Sequence, residues 1–265
     1  MEKVLESADE TRKFRTLRRF NVAMCLLHLA QAAAMFALSN DFSVTITTSF
    51  LKLLPGVEVP DTVTEGLYDI RLGPLVAVFL LISAIAHFIM ASPFGFPWYV
   101  RNLKKKINYL RWYEYSLSAS LMVVIIGMLS GIYDAPSLIL LFALTAMMNL
   151  FGLMMELHNQ TTEKTNWTAY VFGCIAGIVP WVIIAWYFFS AFESAEGTIP
   201  TFVYYILASL FVLFFSFAVN MVLQYKKVGP WKNYLFGEKM YMILSLVAKS
   251  ALAWQVFGGT LARSM

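Results

Sequence analysis

Seven stretches of about 20 apolar residues run along this chain, at roughly 17–39, 72–92, 108–131, 135–157, 168–192, 199–224 and 238–261. As a helix, that length crosses the ~30 Å hydrocarbon core of a bilayer. Inside hydrocarbon every backbone N–H and C=O has to be paired within the segment, which a helix does by itself. The sequence therefore predicts an all-α membrane protein, a seven-transmembrane helix bundle over residues 17–262, preceded by a charged tail over residues 1–16. Composition agrees. Of the 265 residues 59% are hydrophobic and only 14% charged, against about a quarter charged in soluble domains.

The first run reads as an uncleaved helix, because its apolar region is too long for a signal peptide and holds His28 and Gln31. Cys25 and Cys174 fall in separate spans, so neither a disulfide nor a metal site is expected. Seven spans put the N-terminus and the 2–3, 4–5 and 6–7 loops on one side. That side carries Lys3, Arg12, Lys13, Arg15, Arg18, Arg19, Arg101, Lys104, Lys105, Lys106, Arg111, Lys164, Lys226, Lys227, Lys232 and Lys239, which is 16 of the 20 Lys and Arg. Lys52, Arg71 and Arg263 lie opposite, and Lys249 lies within the membrane. By the positive-inside rule the N-terminus is cytoplasmic and the C-terminus extracellular, in a multi-pass protein of the cell membrane. The sequons at Asn159 and Asn166 then face the cytoplasm and stay unused.

The tail is expected as a short helix or as disordered chain, its basic residues touching anionic lipid. Residues 40–71 form the one long loop. Its β-branched "FSVTITTSFLKLL" suggests a small extracellular β-hairpin, with Pro55-Gly56 as a turn. Tight connections are expected at Gly131 with Asp134-Ala-Pro136 and at Glu196-Gly197, and "SPFGFP" at 92–97 ends the second helix.

Charge at the bilayer centre costs about 2.5–3.5 kcal/mol on insertion scales, so embedded polar groups are functional candidates. Lys249 is near the middle of the seventh span, and Glu114 lies in the third. His28 is in the first and His87 in the second. Glu114 is taken as the one carboxylate embedded in the spans. Ser245 precedes Lys249 by four residues, Ser83 precedes His87 by four, and Arg111, Glu114 and Ser118 form one stripe. A desolvated lysine can form a Schiff base with an aldehyde, whose charged form needs a nearby carboxylate. The bland alternative is a buried Lys–Glu pair that only joins two helices, a weak stabiliser because desolvation offsets the attraction. An aldehyde cofactor would also need an apolar slot. Trp112, Tyr115, Met148, Gly152, Pro180, Trp181, Phe214, Phe215 and Trp254 share the mid-membrane depth.

A lysine in the last of seven spans and a carboxylate in the third resemble the retinal-binding rhodopsins. With the N-terminus inside, the chain resembles a heliorhodopsin, carried by "RWYEYS" at 111–116, "SLVAKSALAWQVFGG" at 245–259, "ISAIAHF" at 82–88, "HLAQ" at 28–31 and "VPW" at 179–181. The resemblance implies all-trans-retinal bound covalently to Lys249 as a protonated Schiff base, with Glu114 as counterion. It implies that His28, His87, Ser83 and Ser245 form the polar network there. It further implies a slow photocycle and a homodimer whose contact involves residues 40–54.

After Glu114 the third span reads "YSLSASLMVVIIGMLSG", with no acid, base or amide. A proton has no evident relay outward, so a light sensor is favoured over a pump. No enzyme activity and no nucleic-acid partner are expected, and an unidentified cytoplasmic signalling protein would take the output from the "RNLKKK" and "YKKVGPWK" loops. The alternatives are a light-gated ion or proton transporter, and a retinal- or carotenoid-binding scaffold acting independently of light.

Overall fold

Each apolar run becomes a helix, and polar residues at the boundaries fix where it begins. The computed structural model describes residues 2–53, 60–194 and 201–261. In chain order these hold α1 (Glu2–Ala37), β1 (Ser43–Lys52), β2 (Asp61–Arg71), α2 (Leu72–Ala91), α3 (Gly95–Lys104), α4 (Tyr109–Leu129), α5 (Ala135–His158), α6 (Thr168–Ser194), α7 (Thr201–Tyr225) and α8 (Tyr234–Val256). All these helices but α3 are long and apolar enough to cross a membrane. Asn108, Asp134 and Asn233 cap α4, α5 and α8, each side chain accepting a backbone N–H of the first turn. The turn at Pro55-Gly56 and the connection at Glu196-Gly197 lie outside the described residues.

Two elements differ from the sequence reading. The charged tail is no separate piece: α1 runs unbroken from Glu2, because residues 2–16 contain no proline or glycine and are rich in Glu, Lys and Arg, which favour helix. Between the second and third spans lies a helix of its own, α3. It buries Tyr99 and Leu103 on one side and exposes Arg101 and Lys104 on the other. Glu10 of α1 and Lys104 of α3 form an ion pair at 3.2 Å.

The hairpin is present. β1 and β2 pair antiparallel from Ser43–Arg71 to Lys52–Asp61, with a register shift after Ile46. The Thr47 N–H donates to the Tyr133 carbonyl at 2.9 Å, and Ile46 is buried in the main core, so the hairpin is anchored to the α4–α5 turn.

Helices pack in the sequence α7–α8–α1–α2–α4–α5–α6. α6 and α7 meet through rings rather than close backbones: Trp181 against Phe211 and Phe214, and Phe188 against Tyr204. The half of the bundle near the hairpin is a continuous apolar core that includes Val76, Phe79, Leu80, Ile125, Ile126 and Leu252. The half near the N-terminus holds the polar groups.

Candidate functional site

Lys249 is 3% exposed and Glu114 7%. Their charged atoms lie 3.0 Å apart, so α8 and α4 bring the two sequence candidates into contact. The helical spacing of four places Ser245 under Lys249, whose Nζ donates to the Ser245 Oγ at 2.7 Å. From α2, the Ser83 hydroxyl donates to Glu114 Oε1 at 2.5 Å. The ammonium also stands 5.0 Å from the centre of the Tyr115 ring, a favourable cation–π position. This small polar set is closed off by the apolar core on the hairpin side.

His87 is one helical turn from Ser83, toward the N-terminal face. It stacks on His28 of α1 with ring centres 5.6 Å apart and planes 9° from parallel. The His87 Nδ1 lies 2.8 Å from the Asn21 Oδ1, and the Asn21 amide donates to the Leu17 carbonyl. Neither nitrogen of His28 has a protein partner. Asn21 escaped the sequence reading. Its signal was spacing: it lies seven residues before His28 and so shares its face.

On the opposite side of Lys249 a cavity opens between α4, α5, α6, α7 and α8, enclosing about 950 Å³ including its open side. Of the residues expected around a cofactor, Trp112, Tyr115, Met148, Gly152, Trp181, Phe214, Phe215, Ser245 and Lys249 line it. Its width depends on two glycines. A Cβ at Gly152 would come within 2.3 Å of the Trp112 ring, and one at Gly177 within 2.3 Å of the Met148 Sδ. Pro180, Ser118 and Trp254 do not line the cavity. Pro180 is buried one position before Trp181, and Ser118 is buried with an unpartnered hydroxyl. Trp254 is 46% exposed against Phe257. It follows Lys249 by five residues, which turns it to the far side of α8. A buried amine at one end of an apolar, ring-lined slot suits an elongated apolar aldehyde.

The expectation that Glu114 is the one embedded carboxylate is overturned. Glu156 of α5 and Glu238 of α8 are 2% and 1% exposed, and both pair with Arg111 of α4, itself 4% exposed. Arg111 thus belongs to the interior rather than to the loop cations. Glu156 also accepts from the Tyr234 hydroxyl at 3.1 Å, the Trp112 Nε1 at 2.7 Å and the Asn108 backbone N–H at 3.0 Å. Glu238 also accepts from the Asn108 side chain at 2.9 Å. The guanidinium lies beside the rings of Trp112 and Tyr241, 4.5 and 4.1 Å from their centres, and those rings meet each other edge to face. Every carboxylate oxygen of the two accepts a hydrogen bond. Trp112 and Tyr241 are shared: both rings line the cavity and both flank this charged cluster.

The family model for heliorhodopsins matches residues 17–261. A search of curated proteins finds no match.

Proposed function

Because the chain belongs to the heliorhodopsin family of retinal-based, light-responsive rhodopsins, we propose that it is a light-sensing receptor, not an enzyme, which signals rather than pumps. In this reading Lys249 holds all-trans-retinal covalently as a protonated Schiff base, and the cavity of Trp112, Met148, Gly152, Trp181 and Phe214 receives the polyene. When bound, retinal supplies visible absorption and a change of shape under light. Glu114 balances the positive charge at the Lys249 nitrogen, while Ser83 and Ser245 fix the two groups by hydrogen bonds. His87 and His28 hold a proton that leaves this site, and Asn21 orients the His87 ring.

One observation carries the preference for signalling. The buried ionisable groups Lys249, Glu114, His28, His87, Arg111, Glu156 and Glu238 lie from mid-bundle to the N-terminal face. The remaining half is filled by apolar side chains, among them Val76, Phe79, Ile125, Ile126 and Leu252. Outward transport needs alternating proton acceptors across both halves. A slow photocycle fits a receptor whose product has to persist until a cytoplasmic partner reads it. The concentration of exposed cations near the N-terminus supports a cytoplasmic N-terminus and an extracellular hairpin. The hairpin exposes Phe50, Leu51, Leu67 and Tyr68, which supports a homodimer contact there.

Voltage clamp of membranes carrying the pigment tests the reading. Illumination should give at most a transient charge displacement. A stationary photocurrent would establish the transporter alternative instead.

A further inference from the structure

Among the described residues only two non-glycine positions have positive φ, and both are lysines: Lys106 at 59° and Lys227 at 53°. Each closes a helix in the same way. At the end of α3 the Ile107 N–H donates to the Asn102 carbonyl and the Lys106 N–H to the Leu103 carbonyl. At the end of α7 the Val228 N–H donates to the Leu223 carbonyl and the Lys227 N–H to the Gln224 carbonyl. These are two Schellman motifs, whose left-handed position favours glycine because it has no Cβ. The chain spends a lysine on each instead, and each is preceded by another lysine, Lys105 and Lys226.

All four side chains are exposed. None forms an ion pair among the described residues, in contrast to the neighbouring Lys104 with Glu10. Their depth is restricted. Lys106 stands three residues before the span that begins at Tyr109, and Lys227 two residues after the span that ends at Tyr225. Both pairs therefore sit in the headgroup layer, which adds roughly 5–8 Å to each side of the hydrocarbon core. The α3 helix belongs to the same layer. Phe94 at its start is 93% exposed, and Trp98 packs its ring against Tyr109 at the mouth of the third span. Aromatic rings at this level, with lysine stems reaching past them to charge, are the chemistry of a lipid interface.

We propose that Lys105–Lys106 and Lys226–Lys227 form two anionic-lipid sites on the N-terminal face, each pair holding the phosphate of a lipid headgroup, and that this charge is what the strained lysines retain. A soluble acidic partner would reach the face from outside, yet these side chains leave the backbone within a few residues of the apolar spans. The proposal needs only the membrane spans and is independent of the chromophore.

The test compares the full chain in nanodiscs of phosphatidylcholine alone with discs that also contain phosphatidylglycerol. Two variants separate charge from backbone strain. Lys106→Gly with Lys227→Gly removes charge and strain together, and Lys105→Gln with Lys226→Gln removes charge alone. In phosphatidylcholine the glycine pair should melt about 2–4 °C above the parent, and the glutamine pair should match it. Phosphatidylglycerol should stabilise the parent and stabilise both variants distinctly less, since each keeps one lysine of each pair. Retention of phosphatidylglycerol in native mass spectrometry should fall about fivefold at each site in each double variant, because each removes one lysine from each pair. An equal phosphatidylglycerol effect on parent and variants would overturn the proposal. So would no effect on the parent, which would leave the face to an acidic protein. The headgroup assignment would also fail if inorganic phosphate in neutral discs stabilised the parent equally.

Discussion

Replacing Arg111 by methionine should be the most damaging single change on the N-terminal side of the bundle. The guanidinium is the only cation in contact with Glu156 and Glu238 among the described residues, and the three groups are 4%, 2% and 1% exposed. Methionine preserves much of the side-chain volume but leaves two buried carboxylates facing each other. Breaking a buried pair by removing one partner costs about 3–5 kcal/mol, and here one removal strands two charges. The loss of the cation–π contacts with Trp112 and Tyr241 adds to that. Taking about 4 kcal/mol, the melting temperature falls by roughly 8–16 °C for a chain of this size. If the whole effect appears in the unfolding rate, inactivation at fixed temperature accelerates roughly a thousandfold. Glu238→Gln is the control. The cluster has one guanidinium and two carboxylates, so this change neutralises its surplus charge and loses little more than one hydrogen bond, about 1 kcal/mol. The assay is the rate of loss of the visible band on heating in detergent, alongside circular dichroism. An Arg111→Met variant as durable as the parent would refute the reasoning, and so would a Glu238→Gln variant that fails as fast as Arg111→Met.

Three further outcomes are expected. Lys249→Ala should lack the retinal-dependent visible band that hydroxylamine bleaches under light in the parent, and Glu114→Gln should keep a band of altered colour; an identical spectrum for Glu114→Gln would remove Glu114 as counterion. Phe at His28 or at His87 should leave the dark band in place and change photocycle decay by about tenfold, the size of an effect near 1.4 kcal/mol, read by flash photolysis; bleaching by either single change would contradict the assignment of both rings to proton handling. Gly152→Ala should cost about 1–3 kcal/mol in thermal stability, because the indole it meets is fixed by its bond to Glu156, whereas Gly177→Ala meets the flexible Met148 thioether and should cost less; equal losses would argue against a rigid Trp112.

Helical periodicity made much of the site legible. Ser245 beneath Lys249, and Ser83 with His87, follow from spacings of four, and the contact of Lys249 with Glu114 follows from Glu114 lying deeper in its span than the carboxylates near span ends. What periodicity lacks is rotation and partnership. Trp254 shares the depth of the cavity but not its direction. Glu156 and Glu238 sit near span ends, where a carboxylate ordinarily reaches out to water. Only the fold turns both inward onto Arg111, Glu156 from the neighbouring α5 and Glu238 from α8 across the bundle. Helix α3 is ten residues long and amphipathic, too short and too polar to register beside the long apolar runs.

Trp112 gives the two halves of the site a common boundary. Its ring is a wall of the cavity above Gly152, and its N–H ends on Glu156. Coupling between two binding equilibria is reciprocal. If the occupant of the cavity changes the energy of the Arg111 cluster, then whatever binds or titrates at that cluster must change the energy of the cavity by the same amount. The dark stability of the pigment is therefore an instrument for the opposite direction of traffic. A partner that engages the N-terminal face should be detectable as a shift in thermal stability of the pigment, in the dark, before any light is applied.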